Sequence, residues 1–224
     1  MTKSITIAAL GLLAGASLAS ASNTVTFTRG DFSGTTGGEF IGSYQGEITG
    51  NRVSFCLELN RTVNPNGTRV YDYTVASGDF GAAGGGNAGS NGTSDPLSAA
   101  TGYLMMQWML GKSTNGAQGI ENTDDSSRAV QNAMWYLEQE LELSVLSGAH
   151  QTEVNDLLAT IPNTYSIVPG ADDFSLLAGG GKIRVINISR NGDDSQSQII
   201  LIPLPTASGM ALAGLALVGT RRRR

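Results

Sequence analysis

The sequence predicts an α+β fold, a β-sandwich or partial β-barrel with an inserted helical subdomain of about three helices. Three observations predict it. Short runs rich in β-branched and aromatic residues fill the first third of the chain and return near its end. A stretch with helical periodicity lies between roughly Asp95 and Ile161. Like elements come in runs rather than in alternation, which argues against a parallel βαβ sheet.

The early strands are read at TVTFTR (24–29), EFIGSYQGEI (39–48), RVSFCLEL (52–59) and RVYDYTV (69–75), separated by Gly, Asn and Pro. Asn64-Pro65-Asn66-Gly67 is a turn, and the Gly/Asn/Ser stretch at 78–95 is a linker with no apolar pattern to bury. Asp95 followed by Pro96 suits a cap and a first helical position. LSAATGYLMMQWML then runs to a stop at Gly111 and is apolar almost all round, so it is expected to be buried. A second helix, RAVQNAMWYLEQELEL, starts near Ser126. One stripe carries Val130, Ala133, Leu137 and Leu141; the neighbouring one carries Gln131, Met134, Trp135 and Glu138. The third helix, TEVNDLLATI, ends before Pro162. Strands are expected again at NTYSIV (163–168), GKIRVINIS (181–189) and SQSQIILI (195–202).

Both ends read as processing signals. Residues 1–21 carry Lys3, an apolar core from Ile5 to Leu18, and Ala19-Ser20-Ala21, the small-x-small pattern of a signal-peptidase site. At 202–224, Pro203 and Pro205 precede an apolar segment and four arginines, which would hold that end on the cytoplasmic side. This arrangement resembles the PEP-CTERM sorting tail of bacterial exported proteins, which an exosortase processes, although Leu204 stands where that motif has an acidic residue. The tail is therefore expected to serve as a transient inner-membrane anchor, with one domain at 22–201 exported to the outer surface or extracellular matrix. Removing both ends leaves nine of the fourteen basic residues against all nineteen acidic ones, so the net charge goes from −5 to −10. Such a surface does not invite nucleic acid.

Cys56 is the only cysteine, so no intramolecular disulfide can form, and a free thiol in an exported chain needs a reason. In VSFCLEL, Val53, Phe55, Leu57 and Leu59 share one strand face, expected to meet the core. Ser54, Cys56 and Glu58 share the other, expected to meet solvent or a packed helix. Gln131 and Trp135 are one helical turn apart and neighbours. Taken singly, each has an ordinary reading: a small buried cysteine, and a boundary glutamine beside a core tryptophan. Taken together, Phe55-Cys56-Leu57-Glu58 and Val130-Gln131-Asn132-Ala133-Met134-Trp135 resemble the two motifs of the Cys-Gln thioester domains of bacterial surface proteins. The Leu104–Trp108 segment resembles them more loosely.

That resemblance implies a β-rich body with a helical insertion and an internal Cys56–Gln131 thioester formed with loss of ammonia. It also implies covalent attachment to an amine or hydroxyl of a protein or polysaccharide partner, and hence adhesion without enzymatic turnover. Trp135, with Trp108 and Tyr103, would keep water away. A purely structural thioester cross-link and a passive binding module with a buried cysteine are the alternatives. Other chemistry finds little support. His150, the single histidine, sits in the polar stretch SGAHQTE with no orienting partner in sequence, against a thiol hydrolase. One cysteine and one histidine cannot build a structural zinc site, and no cofactor or metal is expected. The pairs Asp124-Asp125, Asp172-Asp173 and Asp193-Asp194 read as caps and turns.

Overall fold

The computed structural model describes residues 22–34, 37–59, 61–76, 97–167 and 181–203. The segments 1–21 and 204–224, the linker with Asp95 and Pro96, and the pair Asp172-Asp173 lie outside the described residues.

Seven strands form one antiparallel sheet: β1 (Thr24–Gly34), β2 (Gly37–Gln45), β3 (Gly50–Cys56), β4 (Asn66–Val75), β5 (Gly181–Arg190), β6 (Asp193–Asp194) and β7 (Gln198–Pro203). Their order is β4-β1-β2-β3-β7-β5-β6, and β5 pairs back onto β4, with Tyr73 opposite Ile188. The expectation of a sandwich or partial barrel is thereby corrected. Among the described residues six strands close on themselves, and the two-residue β6 alone stands outside the ring. Closure pairs every long strand on both sides, which a sequence-local signal cannot show because β4 and β5 are separated by the whole helical region.

Among the described residues three helices lie between β4 and β5: α1 (Ala99–Thr114), α2 (Asp124–Leu137) and α3 (Gly148–Ala159), with a 3₁₀ turn at Leu143–Val145. Ser98, not Asp95, caps α1, its hydroxyl accepting from the Thr101 N–H. The helix also continues through Gly111 to a left-handed Asn115. Gly111 is interior because any Cβ there would strike the Ile120 carbonyl, where the following loop folds back and Ile120 N–H donates to the Gln107 carbonyl at 3.0 Å. Helix α2 stops at Leu137, short of the expected 143. Gln139 takes a positive φ of 62°, and the Glu138 carboxylate turns away to accept from Ser98 and Thr101 at the start of α1. No strand forms at 163–167; Tyr165 instead stacks beside Tyr103, ring centroids 4.8 Å apart.

Two apolar clusters result. One fills the barrel, with Val25, Phe27, Tyr44, Tyr71, Tyr73, Ile186, Ile188 and Ile200. The other lies between the outer face of β3, β5 and β7 and the helices, with Phe55, Leu57, Leu104, Met105, Trp108, Val130, Met134 and Ile199. Strands buried on both faces lose the polar–apolar alternation of a half-exposed sheet.

Candidate functional site

Helix α2 starts at Thr123, whose hydroxyl accepts from the Ser126 N–H, with Asp124 and Asp125 in the first turn where the helix dipole favours them. Ser127, Gln131 and Trp135 follow at intervals of four, a buried line on the helix. Ser127 Oγ accepts from the Glu39 N–H at 2.9 Å, beside the register shift between β1 and β2.

Gln131 serves β3 in the same way. Leu57 N–H donates to the Ser197 carbonyl, at the side of β7. Main-chain groups alternate along a strand, so the N–H and C=O of Cys56 point the other way, toward β2. Pairing of β2 with β3 ends at Phe40 opposite Ser54, leaving that side of Cys56 open. The Gln131 carboxamide occupies it. Oε1 accepts from the Cys56 N–H at 2.9 Å, and Nε2 donates to the Cys56 C=O at 2.6 Å. Gln131 is fully buried and Cys56 is 3% exposed.

The sequence suggests that the Cys56 side chain meets solvent or a packed helix; it points instead into the barrel. Phe55 and Leu57 on the alternate face belong to the helix-side core, while Gln198 and Ile200 stand opposite Cys56 and Ser54. Gln198 Nε2 donates to Sγ at 3.1 Å. Burial pushes the Cys56 thiol up to about 12; the Gln198 hydrogen bond opposes this and the Glu58 charge adds to it. The resting group is thus a neutral thiol.

The aromatic residues divide. Trp108 is fully buried, packs edge-on against Phe55 at 5.6 Å, and so backs the strand one residue before Cys56. Its indole donates to Glu39 Oε2 at 2.7 Å, and Lys112 Nζ lies 2.8 Å from Oε1 and 2.9 Å from Oε2 of the same carboxylate. Trp135 is 7% exposed, and its indole N–H has no hydrogen-bond partner among the described residues. Tyr103 is half-buried against Tyr165 and at the margin of the helix-side core. His150 lies in the first turn of α3, not in a loop, with Nδ1 3.2 Å from Glu153 Oε2. Among the described residues no group of three His, Cys, Asp or Glu side chains could hold a metal, and no helix is long and apolar enough to cross a membrane.

No family model matches the chain, and no curated protein matches it either. One solved structure is similar. It is the N-terminal thioester domain of fibronectin-binding protein SfbI from Streptococcus pyogenes, at 13% identity and a TM-score of 0.40, over 83% of this chain and 95% of that one. A likeness that distant leaves the local geometry as the ground for a functional reading.

Three site residues escape a sequence reading, Glu39, Ser127 and Gln198, and the burial of Glu58 escapes it too. Gln198 carries the clearest signal, since it shares strand parity with Ile200 and Ile202 and so falls in a buried row. Glu58 is 2% exposed; its Oε2 accepts from the Ser197 N–H at 2.7 Å, and its Oε1 has no hydrogen-bond partner among the described residues. Burial raises its carboxyl to about 7, against the Ser197 hydrogen bond and Arg61 and with help from Glu140. The folded chain therefore holds a proton that the unfolded chain releases at the ordinary carboxylate range. Stability from this group is full below the unfolded pKa of 4.5 and is lost as pH rises toward 7. Glu58→Gln, which keeps an acceptor for Ser197, is expected to flatten that slope. It should gain on the order of 3 kcal/mol over the wild type at pH 8, as read by urea unfolding at pH 4.5, 6 and 8.

Proposed function

We propose that this chain is a single-use acyl donor, in which Cys56 and Gln131 form an internal thioester that captures a nucleophile from a partner. The double hydrogen bond between the Gln131 carboxamide and the main chain of Cys56, 75 residues away, carries this reading. It holds the carboxamide against the main chain of the residue that bears the thiol. Holding the two groups at one place supplies several kcal/mol as effective molarity. The Cys56 N–H at Oε1 is also the donor that a developing oxyanion requires.

In the closing step the Sγ–Cδ bond forms and the Cδ–Nε2 bond breaks. The thiol proton leaves with the nitrogen as ammonia. A partner amine or hydroxyl then attacks Cδ, keeps the glutamyl group, and returns Cys56 as a thiol. Burial of both residues excludes water, the competing nucleophile. The end segments fit such a role. A signal peptide and a basic-ended sorting tail would deliver the domain to a surface or matrix, where one covalent bond per molecule suffices for adhesion.

The test is intact mass. The exported chain is expected to weigh one ammonia less than its sequence, and Cys56 to resist alkylation until methylamine opens the bond. A chain of full sequence mass, with or without methylamine, overturns the proposal. One observation favours a second reading: the same two hydrogen bonds would complete the β3 edge with no reaction at all. Gln131 would then be a surrogate strand within a passive module, and full mass is the result that reading requires.

A further inference from the structure

Resting on the thioester reading, we propose that Gln198 is a positioning residue for Cys56, with its side-chain N–H holding the sulfur and stabilising it as the C–S bond forms and breaks. Gln198 stands directly across from Cys56 in the β3–β7 pair, and its Nε2 donates to Sγ at 3.1 Å. It is fully buried in a row otherwise made of isoleucines, at a position where a primary amide is costly unless it serves a partner. Among the described residues that N–H is the one hydrogen-bond donor placed on the sulfur. Ser54 Oγ and Tyr44 Oη, on strands lining the same interior, have no hydrogen-bond partner.

The two glutamines divide the labour. Gln131 offers a carbonyl whose oxygen already meets an N–H, so its carbon can accept a nucleophile. Gln198 Oε1 has no donor among the described residues to stabilise negative charge, so Gln198 is poorly placed as the acyl group despite its contact with the thiol. What it can do is stabilise sulfur. In closure, Sγ attacks Cδ of Gln131, the Cδ–Nε2 bond breaks, and the thiol proton leaves with that nitrogen as ammonia. In opening, the C–S electron pair returns to Sγ and a proton from the attacking amine restores the thiol. Both directions pass through sulfur bearing negative charge beside the same N–H.

Microscopic reversibility sets the test. Gln198→Met keeps the size and removes the donor; Gln198→Glu keeps the shape and puts an acceptor there. In both variants, closure after refolding and reopening by added ammonia, each followed by intact mass, are expected to slow together. The slowing is roughly tenfold or more, the value of a hydrogen bond to a charged group, and Gln198→Glu should be the slower. The single S–H Raman band of the methylamine-opened chain should also shift in Gln198→Met. Wild-type rates in a folded Gln198→Met chain, or a change in closure without a matching change in reopening, overturn the inference and leave the thioester standing. A wild-type chain that never loses ammonia overturns the thioester, and this role with it. An S–H band that does not move shows that Gln198 is not on the sulfur.

Discussion

Gln131→Ala is expected to unfold at far lower urea than Cys56→Ala, although either substitution forbids the proposed cross-link. Both lose the benefit of closing a loop of about 75 residues, about 4 kcal/mol by the chain-entropy estimate. Only Gln131→Ala also strips partners from the buried N–H and C=O of Cys56. Each orphaned group costs about 1–3 kcal/mol, so the two variants should differ by roughly 2–6 kcal/mol. Cys56→Ala keeps both hydrogen bonds because they are made by the main chain. Equal midpoints for the pair would show that the surrogate-strand contact contributes nothing. In a domain whose whole stability is on the order of 5–15 kcal/mol, Gln131→Ala is close to the limit of folding.

The second large effect is expected at Glu39. This carboxylate is fully buried between the Lys112 ammonium and the Trp108 indole, with Asp31 3.6 Å from Lys112 at the surface. Lys112→Met removes the compensating charge and is expected to cost about 3–5 kcal/mol, the usual penalty for breaking a buried pair from one side. The double variant Lys112→Met/Glu39→Gln, which leaves a neutral amide to accept from Trp108, should recover most of it. Urea unfolding of the single and double variants reads this directly; a double variant no better than the single one would rule out an uncompensated charge as the cause. Trp108 also packs on Phe55. The single variant should therefore slow thioester closure, since that ring backs the strand carrying Cys56.

How much of this was legible follows from where each signal lies. The one-turn spacing of Gln131 and Trp135 is local and readable, and so is the alternation through VSFCLEL. What alternation cannot say is which of two buried faces is the barrel and which is the helix layer. Cys56 accordingly turned out to face the barrel interior. Pairing of β3 with β7 joins residues about 140 positions apart, and nothing near Cys56 announces Gln198. Barrel closure through β4 and β5 is hidden for the same reason. The end of α2 is not legible because Glu138, a good helix former, spends its side chain on another helix's first turn. Gly111 looked like a terminator because sequence shows the missing Cβ but not the Ile120 carbonyl that needs the space.

Strand β7 lies between β3 and β5 yet follows every other long strand in the chain. A polypeptide emerging amino end first presents the cysteine and its glutamine early, but the wall behind the sulfur arrives only with residue 198. If the proposed thioester forms, the order of synthesis holds back its closure until nearly all of the domain has been made.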